Sequence, residues 1–287
     1  MQTISSHLYI EDQYPGVTLG AVAVPHGLIQ IDAPPAPEDG RSWRATLLGL
    51  NSGVERLLVN LDSHPDRTLG VRAMDCTVIA HEKTAQAFRN RPNTLKAQNE
   101  ETGADWESVT GLGGIRWALP EITFTERMSI QWSHMPLVLE HHPGPAAGAC
   151  WAVFPEQKIV FVGDLVVKNQ PPFLANANLS DWLDSLAILL SPTYAGYTLV
   201  SGRGGIVPLA AAQMQQVFLN QIHSKVETLG QKPSTLETLE AMIPAFLAEF
   251  NPAADHLKQY TQRLRHGLRQ YYYRRYHPTA LPEIEEE

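Results

Sequence analysis

The chain reads as an α+β protein with a helical C-terminal extension, and three observations predict it. Short β-rich runs alternate with helical patterns over the first two thirds, the last quarter carries helical spacing only, and turn residues punctuate the runs throughout. At 287 residues, with a prior of ~150 per domain, one large or two small domains are expected. We place the boundary at residue 230, with an α+β domain over 1–230 and a helical extension over 231–287 that packs on it or on a second subunit.

Residues 18–24 and 27–32 read as two strands around the turn Pro25-His26-Gly27, and 57–61 and 77–80 as short apolar strands. Between them, 42–50 has helical spacing, and the polar stretch 89–110 reads as an excursion from the core. Strand patterns return at 137–140, 149–154 and 158–162, the last two joined by the turn Pro155-Glu156-Gln157-Lys158. A helix over 179–190, a strand over 197–200 and a long helix ending at Gly230 follow. In the extension, Ser234-Thr235-Leu236-Glu237 is a capping box, and Asn251-Pro252 supplies a second helix start. Leu257, Tyr260, Leu264, Leu268 and Tyr271 then form one apolar stripe.

Composition narrows the function classes. With 44% hydrophobic residues the chain can build a sizeable core, and a net charge of -8 offers no global field for a polyanion, so a nucleic-acid role is disfavoured. Residues 257–277 hold six Lys/Arg and no acid, yet on an acidic body such a helix is expected to pair with its own domain or a second subunit. Cys76 and Cys150 sit in apolar stretches and read as reduced core thiols. Neither a basic leader with an apolar run nor a membrane-spanning segment is seen, so no membrane partner and a cytoplasmic location are expected. The acidic end 283–287 reads as a solvated tail.

The chemistry concentrates at strand ends. After the strand over 57–61 comes Asp62-Ser63-His64-Pro65-Asp66-Arg67, closed by Gly70. This resembles the metallo-β-lactamase superfamily, whose corresponding strand ends in HxHxDH followed by a glycine. Further segments match in order: Ile31-Asp32 at the end of an early hairpin, Val78-Ile79-Ala80-His81, and His142-Pro143-Gly144-Pro145 in place of the GHTxG loop. Phe161-Val162-Gly163-Asp164 and Ser201-Gly202-Arg203-Gly204, the latter in place of PGHG, complete the series. The resemblance covers about residues 15–225 and implies a four-layer αβ/βα sandwich.

It also implies two metal ions, and the ligand positions depart from that pattern. The first-metal positions are Asp62, His64 and Pro145; the second-metal positions are Asp66, Arg67 and Arg203; the bridging aspartate is Asp164. Proline has no side-chain donor, and arginine stays protonated with no lone pair to give. Two guanidinium groups would repel a cation from the second position, so we expect it empty, with Arg67 and Arg203 paired to Asp66 and Asp164 in place of the metal.

The leading expectation is therefore a non-hydrolytic ligand-binding or interaction protein without a cofactor. Asp62, His64, Asp66, Arg67, His142, Asp164 and Arg203 are its candidate ligand-binding residues, for a small, possibly anionic molecule. In an alternative hydrolase, Asp62, His64 and Asp164 hold one ion such as Zn, Mn or Fe, Asp66 activates water, and Arg203 binds an anionic substrate. His141 or His142 could supply a missing donor, while His81 is expected to be structural. A third reading makes the sandwich a scaffold for a homodimer formed through the C-terminal helices. Gly111 to Gly114 reads as flexible rather than phosphate-binding, and residues 89–117 are expected to set substrate choice.

Overall fold

The computed structural model describes residues 1–95, 101–132, 135–230 and 235–277. Two sheets face each other. The first contains, in spatial and sequence order, β1 (Gln2–Ser5), β2 (Leu8–Glu11), β3 (Leu19–Ala23), β4 (Gly27–Ile31), β5 (Glu55–Val59), β6 (Thr77–His81) and β7 (Ile122–Phe124). It is antiparallel from β1 to β4 and parallel from β4 to β7. The second contains β8 (Arg127–Ile130), β9 (Leu137–His141), β10 (Cys150–Phe154), β11 (Ile159–Phe161), β12 (Thr198–Val200) and β13 (Ile206–Val207), in the order β13-β12-β11-β10-β9-β8. Only β11 and β12 run parallel in it.

Alternating apolar residues on the facing sides, among them Leu8, Ile31, Leu139 and Phe161, form the central core. Helix α1 (Pro37–Leu48) covers the outer side of the first sheet with Trp43 and Leu47. It starts five residues before the expected helix because Pro37 sits in the first turn, followed by Glu38 and Asp39, which suit the positive end of the helix dipole. The short α2 (Pro65–Thr68) and α3 (Glu82–Arg89) follow β5 and β6. On the far side, α4 (Leu179–Leu189), α5 (Leu209–Leu229), α6 (Thr235–Ala241), α7 (Ile243–Ala248) and α8 (Leu257–Tyr276) pack on the second sheet through Trp151, Trp182, Phe218, Leu264 and Leu268. The result is four layers, helix, sheet, sheet, helix.

The expected hairpin at Pro25-His26 is present, with Val24 and Gly27 exchanging both backbone hydrogen bonds. Strands β1, β2, β7 and β8 had no clear sequence signal, being only three or four residues long. Two expectations for the extension need correction. Asn251-Pro252 does not begin the last helix: Asn251 takes φ +44, and α8 starts at Leu257. Leu257 is 49% exposed, so the buried stripe starts at Tyr260 and gains Arg263. Ser234 of the capping box and the acidic end 283–287 lie outside the described residues.

The stripe docks on the same chain. The cations of α8 do likewise: Arg265 and Arg269 lie 4.0 and 3.7 Å from Glu240, Arg275 lies 3.1 Å from Glu227, and Arg274 donates to the carbonyls of Leu174 and Ala177. Among the described residues no helix is long and apolar enough to cross a membrane.

Candidate functional site

The carboxyl ends of β4, β5, β11 and β12 meet at one edge of the sandwich, and each delivers a charged residue there. Asp32 follows β4, Asp62 follows β5, Asp164 follows β11 and Arg203 follows β12. Local bonding fixes the segment after β5. Asp62 accepts from the His64 amide at 2.7 Å, the His64 ring caps α2 by accepting from the Asp66 amide, and Thr68 donates to the His64 carbonyl. Pro65 opens α2, so Asp66 and Arg67 point inward from a rigid turn.

Arg67 and Arg203 are 0% and 1% exposed. Arg67 donates to Asp32 at 2.9 Å and to Asp164, and its Nε lies 3.0 Å from Asp62 in an ion-pair contact whose N–H is not aimed along it. Arg203 donates through Nε to both oxygens of Asp164 at 3.1 Å, through Nη2 to Asp164 at 3.0 Å, and through Nη1 to Asp66 at 2.5 Å. The expected pairing of Arg203 with Asp164 is present. Arg67 instead pairs with Asp32, Asp62 and Asp164, and Asp66 is held by Arg203 and the Trp106 amide. Packing leaves no slack around this network: a Cβ on Gly202 would lie 2.7 Å from the Gly163 carbonyl carbon and 2.9 Å from Arg67 Nη2 and Asp164.

Burial and charge act against each other here. Burial pushes Asp66 up to about 6 although Arg203 opposes it, and pushes Asp32 up to about 6 against Arg67. Asp62 is raised for the same reason. Asp164 is the exception: burial would raise it, but Arg203 and Arg67 together outweigh that and hold it below the usual carboxylate range. Burial and the neighbouring Arg203 keep His64 neutral, consistent with its Nδ1 accepting from Arg203 at 3.1 Å.

Asp105, Arg263 and Phe173 close over the cluster. Asp105 accepts from Arg203 at 3.2 Å and from Arg263 of α8 at 3.1 Å, and Arg263 also donates to the Gly103 carbonyl at 2.9 Å and to Gln170 at 2.6 Å. Phe173 lies between His64, at 4.4 Å between ring centroids, and the guanidinium groups of Arg203 and Arg263, at 4.5 and 4.1 Å from its centroid. Five aspartates thus face three guanidinium groups.

The sequence profile described as the metallo-beta-lactamase superfamily matches residues 64–199. Residues 64–199 carry this superfamily's pattern, and the chain has its fold. Solved structures with the same fold include a metallo-beta-lactamase from Pontibacter korlensis, 20% identical with TM-score 0.60 over 76% of this chain and 97% of that one. Metallo-beta-lactamase IND-7 is 16% identical with TM-score 0.60 over 77% and 96%. A double mutant of the sec-alkyl sulfatase PisA1 is 14% identical with TM-score 0.64, and its match covers 99% of this chain and 52% of that one, so it extends over the C-terminal helices. No curated protein matches the chain.

The side chains present do not fit the pair of metal ions that the metallo-β-lactamase resemblance implies. Two of the ligand positions carry guanidinium groups, which have no lone pair to donate, and these groups bond the oxygens of Asp66 and Asp164 that a metal would need. Among the described residues no group of three or more His, Cys, Asp or Glu side chains is arranged to hold an ion. Of the expected site residues, Asp62, His64, Asp66, Arg67, Asp164 and Arg203 converge. His142 does not join them through any described contact: it stacks on Trp151 at 3.6 Å between centroids and lies 3.5 Å from Glu140. His141 stacks on His81 at 3.8 Å, and His81 caps α3.

Sequence reasoning left out Asp32, Asp105, Phe173 and Arg263. Asp32 had a signal, since it closes the early hairpin in the metallo-β-lactamase pattern. Arg263 had a weak one, as a cation beside an apolar helical stripe. Asp105 and Phe173 lie in irregular segments whose sequence carries no periodicity to place them.

Proposed function

We propose that this chain has exchanged the metal-dependent hydrolysis of its fold for a structural ion-pair centre, and acts as an interaction protein built on the metallo-β-lactamase sandwich. One observation carries the reading: the guanidinium groups of Arg67 and Arg203 lie buried in ion pairs with Asp62, Asp66 and Asp164. A hydrolytic metal needs about three lone-pair donors and an open position for water, and this arrangement offers neither without first breaking the ion pairs. An anionic small molecule is also poorly served, because both cations already face aspartates and the carboxylates outnumber them.

The test is metal analysis of the full chain purified without added metal, together with thermal melting in chelator and assays on ester, lactam and sulfate-ester substrates. We expect less than about a tenth of an equivalent of transition metal, unchanged melting, and no turnover. Near-stoichiometric metal with chelator-sensitive turnover would overturn the reading.

A further inference from the structure

The apolar stripe of α8 is buried on its own chain, so it is not free to bind a partner; another surface of the helical layer is. Helix α5 presents Met214 and Val217 to solvent at 63% and 56% exposure. Beside them runs an open groove with Val217, Gln221 and Lys225 on the α5 wall and Met242, Phe246 and Glu249 on the α7 wall.

The charges of this groove are arranged by the helix directions. The Phe218 ring meets Phe246 and Phe250, with centroids 5.8 and 4.8 Å away, so Glu249, next to Phe250, sits near the Phe218 level of α5. Lys225 lies two turns further along α5, at the other end of the groove, roughly 10 Å away by helical rise. Neither Lys225 nor Glu249 takes part in an ion pair among the described residues. Burial raises the Glu249 carboxyl without a cation to oppose it.

We propose that this α5–α7 groove is a self-complementary interface that seats a second copy of the chain, with Lys225 of each copy against Glu249 of the other. A twofold axis across the groove lays α5 antiparallel to its copy, which brings opposite charges together at both ends of one contact. Such a contact also covers part of the neighbouring Met214 and Val217 ridge, whose side chains are 63% and 56% exposed. A partner of different chemistry would need to match both charges and the apolar strip independently; a second copy supplies them by symmetry. The inference gives the interaction reading above its partner and rests on it only in that sense.

Sedimentation equilibrium of the full chain tests it, with Lys225→Glu, Glu249→Lys and the double exchange. The wild type is expected to dimerise in the micromolar range. Each single variant should weaken the dimer by about tenfold or more, since two like-charge contacts arise per interface, and the double exchange should restore it. Both substituted positions are exposed, so unchanged melting serves as the folding control. A wild type that stays monomeric at about 100 μM, a dimer indifferent to the single variants, or a loss that the double exchange does not recover would each overturn the proposal. Metal content and turnover are read independently, so a metal-free monomer would remove this interface and leave the structural-centre reading standing.

Discussion

Two sets of arginine–carboxylate pairs in this molecule share one chemistry and differ in solvent. Arg67 and Arg203 are 0% and 1% exposed among their aspartates, whereas the side chains of Arg275 on α8 and Glu227 on α5 are 53% and 40% exposed. At the surface, water screens both the attraction and its loss, so a pair is worth ~0–1 kcal/mol. In the interior, desolvation costs each charge several kcal/mol, and only close multiple contacts offset that. The comparison teaches that the buried centre is strongly interdependent: its worth appears when one member is removed, not when pairs are summed. It also explains why the centre needs Arg263, since with Asp105 in reach of Arg203 another cation limits the accumulation of negative charge.

The sharpest break of this comparison is Arg67→Met. It keeps much of the apolar stem but removes the cation facing Asp32, Asp62 and Asp164, leaving buried carboxylates that must protonate or draw in water. A loss of about 4 kcal/mol or more is expected by chemical denaturation, enough to unfold a marginal domain. A loss below about 1 kcal/mol would mean that the centre is hydrated and behaves like a surface pair.

A pH series separates burial from pairing at one residue. Asp66, normally near 3.8, is held at about 6 in the fold, so between these values the unfolded chain releases a proton that the folded chain keeps. Stability from Asp66 therefore falls as pH rises through that window and is flat above it. Against Asp66→Asn, which cannot titrate, the wild type should lose on the order of 3 kcal/mol from pH 4 to pH 7. Asp164 has the opposite sign, because Arg203 and Arg67 depress it: its contribution is intact above pH 4 and is lost only in stronger acid. If the wild type instead gains on Asp66→Asn as pH rises, Arg203 outweighs burial at Asp66 as it does at Asp164.

These experiments address a centre that was partly legible in the sequence. The apolar strands and the turns at Pro25-His26 and at 155–158 carry local signals, and the strand-end residues carried the likeness to the metallo-β-lactamase pattern. From these followed the layers and the convergence of Asp62, His64, Asp66, Arg67, Asp164 and Arg203. The pairing itself was not legible. Arg67 and Asp66 are neighbours on α2, so their side chains diverge, and Arg67 reaches Asp32 and Asp164 from other strands instead. Arg263 lies 158 residues from Asp105 in the sequence, and it reaches that carboxylate only through the packing of α8.

The smallest effect is expected at Arg275, and it sets the scale for the rest. Its guanidinium lies 3.1 Å from Glu227, a distance like those within the centre, and the nearby carboxylate raises its already high pKa. Geometry alone would rank the pair with Arg203 and Asp164. Both side chains are open to water, however, so Arg275→Ala exchanges one solvated arrangement for another and also relieves the entropy cost of holding a long side chain in place. The expected loss is below about 1 kcal/mol, and it should shrink further in high salt as the pair is screened. Arg67→Met should keep its effect under the same salt because the cluster is buried and little screened. A salt-insensitive loss of several kcal/mol at Arg275 would show that distance, not burial, decides the worth of these pairs.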